Sequence, residues 1–429
     1  PSYGYYSNPY IGRVLDGFAL SENSQLGEPT SNYCIPRITS AGISANGSQV
    51  TVSDGAGLWV LSAWANSRGG SAGKPRAGDY SQIGTQVSQD FLTDEKSGSS
   101  PYLARKFGCA YSGPLCLTLT GDCDMSLYGN GFRGIGASCG SNHTKLELSS
   151  LEGGGHTVTL QQDIKQYLDE RDSWLFVSGG LFPNPVFSAS STTISNLIVS
   201  GKMQLYYTDA AQKIVNAQDA GQAGVGLLIG KSLGASNSLA LTKVVARNAE
   251  VMSNALYVGG LIGRLQSWWG HSLTMQTCGY ETVTVSGYQN VGGLIGGYDG
   301  NSSATLQDIS CSGGTIQVPK EYGRDMNNSD LFGTGGLVGY LSAVDSTICR
   351  VSLNGSNEIH SDGNYTGAEA GIGALVGLWC PGSSATAQDI AITGALTITG
   401  NNRSSIGCLG GYICRQGDVG GGVDKWVNN

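Results

Sequence analysis

Several residue groups in this 429-residue chain have spacings that suggest chemistry. Residues 136–140 read Gly-Ala-Ser-Cys-Gly, the Gly-x-Ser-x-Gly spacing that lifts a serine nucleophile onto a sharp strand-to-helix turn. The residues that follow alternate like a strand and have no helical period, so a hydrolase elbow at Ser138 is disfavoured. Residues 129–134 match Gly-x-Gly-x-x-Gly, but no helix follows to offer its N-terminus to a phosphate. His143, His156, His271 and His360 are scattered without ligand spacing, and read as turn or surface residues. Asp122 and Asp124 flank Cys123 on one strand face, where they could share a calcium ion or close turns; turn closure is the favoured role. Asp299 and Asp362 each precede a glycine, and are read as Asx turns. Trp268 and Trp269 could stack on a sugar, although core or interface packing is the more economical use.

All of these must be positioned by a scaffold that repeats. A Gly-hydrophobic phrase returns six times: VGLLIG (225–230), VGGLIG (258–263), VGGLIG (291–296), TGGLVG (334–339), IGALVG (372–377) and IGCLGG (406–411). The closing glycines, Gly230, Gly263, Gly296, Gly339, Gly377 and Gly411, are 33, 33, 43, 38 and 34 residues apart. A period in this range means stacked supersecondary units, none able to bury its apolar face alone. Insertions at Glu321–Phe332 and Asp362–Ala370 account for the two long steps.

A second phrase follows each block: LQDISCSGGTIQV (306–318), TICRVSLNGSNEI (347–359) and AQDIAITGALTIT (387–399), with looser copies at 275–287 and 194–206. Each is two short alternating strands split by a Gly or Asn turn. About three strands per period and no room for a long helix predict an all-β fold, a right-handed parallel β-helix with rungs about 4.8 Å apart. Leu228, Leu261, Leu294, Leu337, Leu375 and Leu409 form one column; Ile229, Ile262, Ile295, Val338 and Val376 form a second. Leu265, Tyr298, Leu341, Trp379 and Ile413 form a third. The Leu column is the expected core ladder.

An enzyme of β-helix fold should place carboxylates at matching offsets in neighbouring rungs. Asp308 and Asp389 both stand twelve residues after a closing glycine, but the intervening repeat has Val351 there and Arg350 one place earlier. That is a poor acid–base pair.

The repeated phrase resembles the GLUG motif of large bacterial surface proteins. Upstream, residues 49–70 resemble the entry strand and helix of such solenoids. Residues 117–136 resemble their Asp-Ile-Asp and Gly-Phe-x-Gly-Ile-Gly segment, with Cys123 in the isoleucine's place. Residues 151–160 resemble their Leu-Asp-Gly-Asn-Gly-His-Thr-Ile turn, and VSGGLF (177–182) precedes the first full repeat. The likeness spans roughly residues 45–429 and implies an adhesin or surface scaffold; members are sometimes appended to peptidases, and no peptidase portion is visible here.

Composition narrows the classes further. Glycine is 67 of 429 residues and charged residues are 13 %, which suits tight β turns and an uncharged polar surface. A net charge of −8 without a Lys/Arg cluster argues against nucleic acid. No apolar run is long enough for a membrane span. The opening PSYGYYSNPY has no signal-like pattern, so a leader is removed or the chain is part of something longer. Eleven cysteines without zinc spacing predict disulfides and an oxidising compartment. Cys278 and Cys311 each lie fifteen residues after a closing glycine, and Cys380 and Cys414 each lie three after one. These predict rung-to-rung bridges Cys278–Cys311 and Cys380–Cys414, with a column of buried thiols as the alternative. Cys109, Cys116, Cys123 and Cys139 are expected to pair among themselves, leaving Cys34 as the candidate free or intermolecular thiol. Asn-x-Ser/Thr glycosylation candidates are Asn46, Asn142, Asn301, Asn327, Asn354, Asn364 and Asn402.

Three regions result. Residues 1–40, with Tyr3, Tyr5, Tyr6 and Tyr10, are a non-repetitive cap or an arm that docks on a neighbouring subunit by strand addition. Residues 41–222 hold irregular rungs: a helix N-capped by Asp54, a polar loop at 68–100, and further inserted helices at 163–174 and 208–221. Residues 223–429 are the regular repeats, whose last rung carries no obvious cap. The sequence thus predicts a secreted, non-enzymatic structural or adhesive β-solenoid without cofactors, self-associating end to end as a homo-oligomer or filament. The alternatives are a glycan-binding or host-surface adhesin and, last, a polysaccharide lyase or hydrolase.

Overall fold

A computed structural model describes residues 40–67, most of 113–167, 178–187, 191–208, 223–234, 238–267, 272–320, 331–363, 369–401 and 404–414, plus the backbone of two short antiparallel strands, Phe18–Leu20 and Cys34–Pro36. The protein is predominantly β, built from long parallel ladders, with one helix among the described residues.

Each repeat pairs in parallel with the next. The short strands Gly224–Val225, Tyr257–Gly259, Asn290–Gly292, Leu331–Gly335, Glu369–Gly373 and Ser404–Gly407 form one six-stranded sheet. The strands that follow each Gly phrase form the larger ladder, with Ile229, Ile262, Ile295, Val338 and Val376 in register. The predicted third column is also in register: Leu265, Tyr298, Leu341, Trp379 and Ile413 face one another in turn. Five of the six column leucines are fully buried. Burying each contributes about 1.5–3 kcal/mol.

The glycines of the phrase allow backbone to pack on backbone. A Cβ on Gly263 would collide with the backbone N of Val225 in the preceding repeat, and one on Gly259 with the carbonyl of Ile262. The stack extends upstream of the first full repeat: the Leu181 N–H donates to Leu227 O (2.8 Å) and the Ile135 N–H to Leu181 O (2.7 Å).

At the other end the helix Gly55–Ser67 begins where predicted. Asp54 Oδ1 accepts the Gly57 N–H at 2.7 Å, an N-cap, and Leu58, Leu61 and Ala65 are buried. The helix predicted from residue 163 is overturned over residues 163–167. They lie within the strand Thr157–Tyr167, paired from Asp163↔Gln204 to Tyr167↔Thr208, and this non-local pairing outweighs the local helical spacing. Of the helix predicted at 208–221, Thr208 instead ends the strand Ser191–Thr208; its other residues, the remainder of the first segment and the loop at 68–100 lie outside the described residues.

Candidate functional surface

The carboxylates at 122 and 124 are occupied by backbone donors. Asp122 Oδ1 accepts the Thr157 N–H (2.8 Å), and Asp124 Oδ1 accepts the Ser126 N–H (2.9 Å). Cys123 between them points inward, and burial, reinforced by Asp54 and Asp122, pushes its thiol up to about 12. His156 Nδ1 stands 3.5 Å from Asp122. Of the Gly-x-Gly-x-x-Gly motif, the described residues Phe132 and Gly134 serve packing: Phe132 is buried, its carbonyl accepts from Gln162 Nε2, and Gly134 O accepts from Ser62 Oγ at 2.7 Å. Asp299 is not in a turn. It lies within the strand Ile295–Gly300 opposite Gln266, 3.6 Å from the buried Arg264, which also stacks on Tyr257. Among the described residues no three His, Cys, Asp or Glu side chains gather as a metal site.

Ser138, His143, His271, Trp268, Trp269, Tyr3, Tyr5, Tyr6, Tyr10, Asn142, Asn327, Asn364 and Asn402 lie outside the described residues, as do Cys109, Cys139 and the side chain of Cys34. Asn46 and Asn301 are exposed. Asn354 is half-buried, and its Oδ1 accepts from the hydroxyls of Ser352 (2.8 Å) and Thr393.

The ladder corrects the comparison of Asp308 with Asp389. Register shifts by one between Ala343 and Asp345, so the residue level with both aspartates is Arg350, not Val351. Asn196, Lys243, Thr277, Asp308, Arg350 and Asp389 all take left-handed backbone, φ 51–57°, each bending its repeat at the same place in the ladder. Arg350 forks onto Asp308, Nε to Oδ1 at 2.5 Å and Nη2 to Oδ2 at 3.2 Å. That hydrogen bonding holds the Asp308 carboxyl below its ordinary value and raises Arg350, with Asp389 adding to the latter. At the start of the same corner, Asn196 Nδ2 donates to Glu152 (2.9 and 3.2 Å) and Ser195 Oγ to Glu152 Oε2 (2.6 Å). The corner was detectable as a break in alternation: buried Leu306 and Ile309 are three residues apart.

Cys380 and Cys414 are disulfide-bonded, with Cα atoms 4.8 Å apart, as predicted. Cys278 and Cys311 are not: both are buried free thiols. The connection after Ser267 is two residues longer than the one after Gly300, so Cys311 faces Tyr280 while the Cys278 carbonyl accepts the Ser310 N–H. Burial pushes Cys278 up to about 11 and Cys311 higher still. Cys116 and Cys123, expected to pair within their cluster, are also free, as are Cys349 and the exposed Cys408.

The remaining surface feature is the last repeat. Ile392, Ile406 and Leu409 are the exposed large hydrophobic residues among those described, at 37 %, 51 % and 38 %, whereas Leu353, Ile372 and Leu375 one repeat earlier are buried. No family model, curated protein or solved structure matches this chain.

Proposed function

We propose that this chain is a right-handed parallel β-helix of GLUG type, secreted or displayed at a cell surface, and that it acts as a structural or adhesive module without catalysis. The hand follows from the strong preference of parallel crossover connections for the right-handed path. The observation that carries the reading is the continuous register of three core columns through the repeats to a last repeat with exposed apolar residues. Such a stack distributes load along its axis through parallel hydrogen bonds, and the Cys380–Cys414 bridge secures its final turn. Asp122 and Asp124 accept backbone N–H groups, and Asp299 and Asp308 pair with arginines, which supports a scaffold role. The exposed end supports self-association. No helix among the described residues is long and apolar enough to cross a membrane.

Negative-stain electron microscopy tests the reading. Straight rods of uniform width, alone or joined at their ends, are the expected result. Compact particles without a long axis would overturn it.

A further inference from the structure

The two ends of the stack differ. At the first end, the strand Gln49–Val52 is covered on its outer side by the antiparallel strand Ile43–Asn46, only four residues long. Beside it the helix Gly55–Ser67 buries Leu58, Val60 and Leu61, and Ser62 Oγ pins it to Gly134 O. A helix over the apolar interior and a short antiparallel edge leave little for another parallel stack to continue.

The last end has the opposite character. Residues 384–392 and the strands Ala395–Gly400, Ser404–Gly407 and Gly410–Ile413 pair on one side only among the described residues. Ile392 and Ile406 belong to these segments and Leu409 precedes the last of them, and all three are exposed. Natural sheets blunt free edges with lysine, proline or clustered charge. One proline, Pro381, stands where the free edge begins; beyond it residues 382–414 contain no lysine or proline, and their only charged residues are Asp389 and Arg403. Beyond that proline the edge is undefended, and its two charges cancel, so an identical face brought against it meets no net repulsion.

We propose that this end pairs with the same end of a second copy, last repeat to last repeat about a two-fold axis. Edge strands related by a two-fold run antiparallel, which preserves hydrogen bonding across the junction, and the apolar columns of both copies close on each other. The closed first ends then face outward and growth stops at two. The inference rests on the self-association reading above and specifies its geometry: a discrete double-length rod rather than a filament.

Exposed Cys408 lies in this face and provides a probe. Sedimentation equilibrium on the full chain, through the micromolar range, is expected to give dimers. A short bis-maleimide should link them through Cys408, and Cys408→Ser should abolish the link without changing the dimer. Leu409→Asp should weaken dimerisation by about 30-fold or more, as loss of a central apolar anchor does. Ile406→Lys, at the most exposed of the three, provides the same test should Leu409→Asp fail to fold, circular dichroism serving as the folding control. Open-ended oligomers, or dimers that resist the Cys408 linker, would overturn the two-fold geometry while leaving self-association standing. Monomers throughout, as when the chain's own residues 415–429 cover the face, would overturn both.

Discussion

Arg350 shows how a repeat protein assigns a role to one side chain by its height in the stack. Its guanidinium forks onto Asp308 in the preceding repeat and feels Asp389 in the following one. The group is exposed, so the pair adds little to stability, but it has a clear titration signature. Arg350→Ala is expected to return the Asp308 carboxyl upward toward its ordinary value, about 3.9. Because the folded-state value is held down in the parent, the pair's stabilisation is present above the unfolded carboxyl's pKa and is lost as pH falls through the folded one. The variant should therefore be slightly less stable than the parent at neutral pH and equal to it in strong acid. Carboxyl carbon NMR titration and urea unfolding at the two extremes would check both statements. From sequence, Asp308 and Asp389 are visible but Arg350 counts one residue out of line, because a one-residue shift in the ladder leaves no recognisable mark in the residue counts.

At the scale of the element, the Gly phrase is a bend in which two strands of neighbouring repeats approach through their backbones. The first and closing glycines recur in every copy, while the central position also holds Leu227, Ala374 and Cys408. The prediction is a graded one. Gly263→Ala forces a Cβ into the Val225 backbone and should cost roughly 1–3 kcal/mol or more. Gly410→Ala, at the position where the earlier copies carry Ile or Val, brings its Cβ no nearer than 3.3 Å to the Ile413 side chain and should cost distinctly less. Paired urea unfolding curves would decide, and equal costs would refute the distinction. The strand Thr157–Tyr167 teaches the complementary lesson. Ile164, Tyr167 and Leu168 carry a helical spacing, yet Ile164 sits opposite Leu205 in a parallel ladder. Partners forty residues away decided that segment, and nothing local announces them.

For the whole molecule, the difference between the two ends matters more than any single site. The chain carries a net charge of −8, but its last described repeat is nearly neutral. Association through that face should depend on apolar contact and strand pairing, so its dissociation constant should stay within about twofold between low and high salt. A steep salt dependence in sedimentation equilibrium would point to a charged surface elsewhere.

By itself, the sequence determined the period, the apolar columns, the Asp54 N-cap and the bridge between Cys380 and Cys414. Each depends on spacing within a short segment, or on repeats with no unequal loop between the marker glycine and the residue concerned. Tertiary structure alone decided that Cys278 and Cys311 stay apart, that Arg350 stands between Asp308 and Asp389, and that residues 163–167 are strand. In the first two, a loop or bulge changes the residue count without changing the ladder. In all three, hydrogen bonds between distant strands, rather than position along the chain, set which residues share a height.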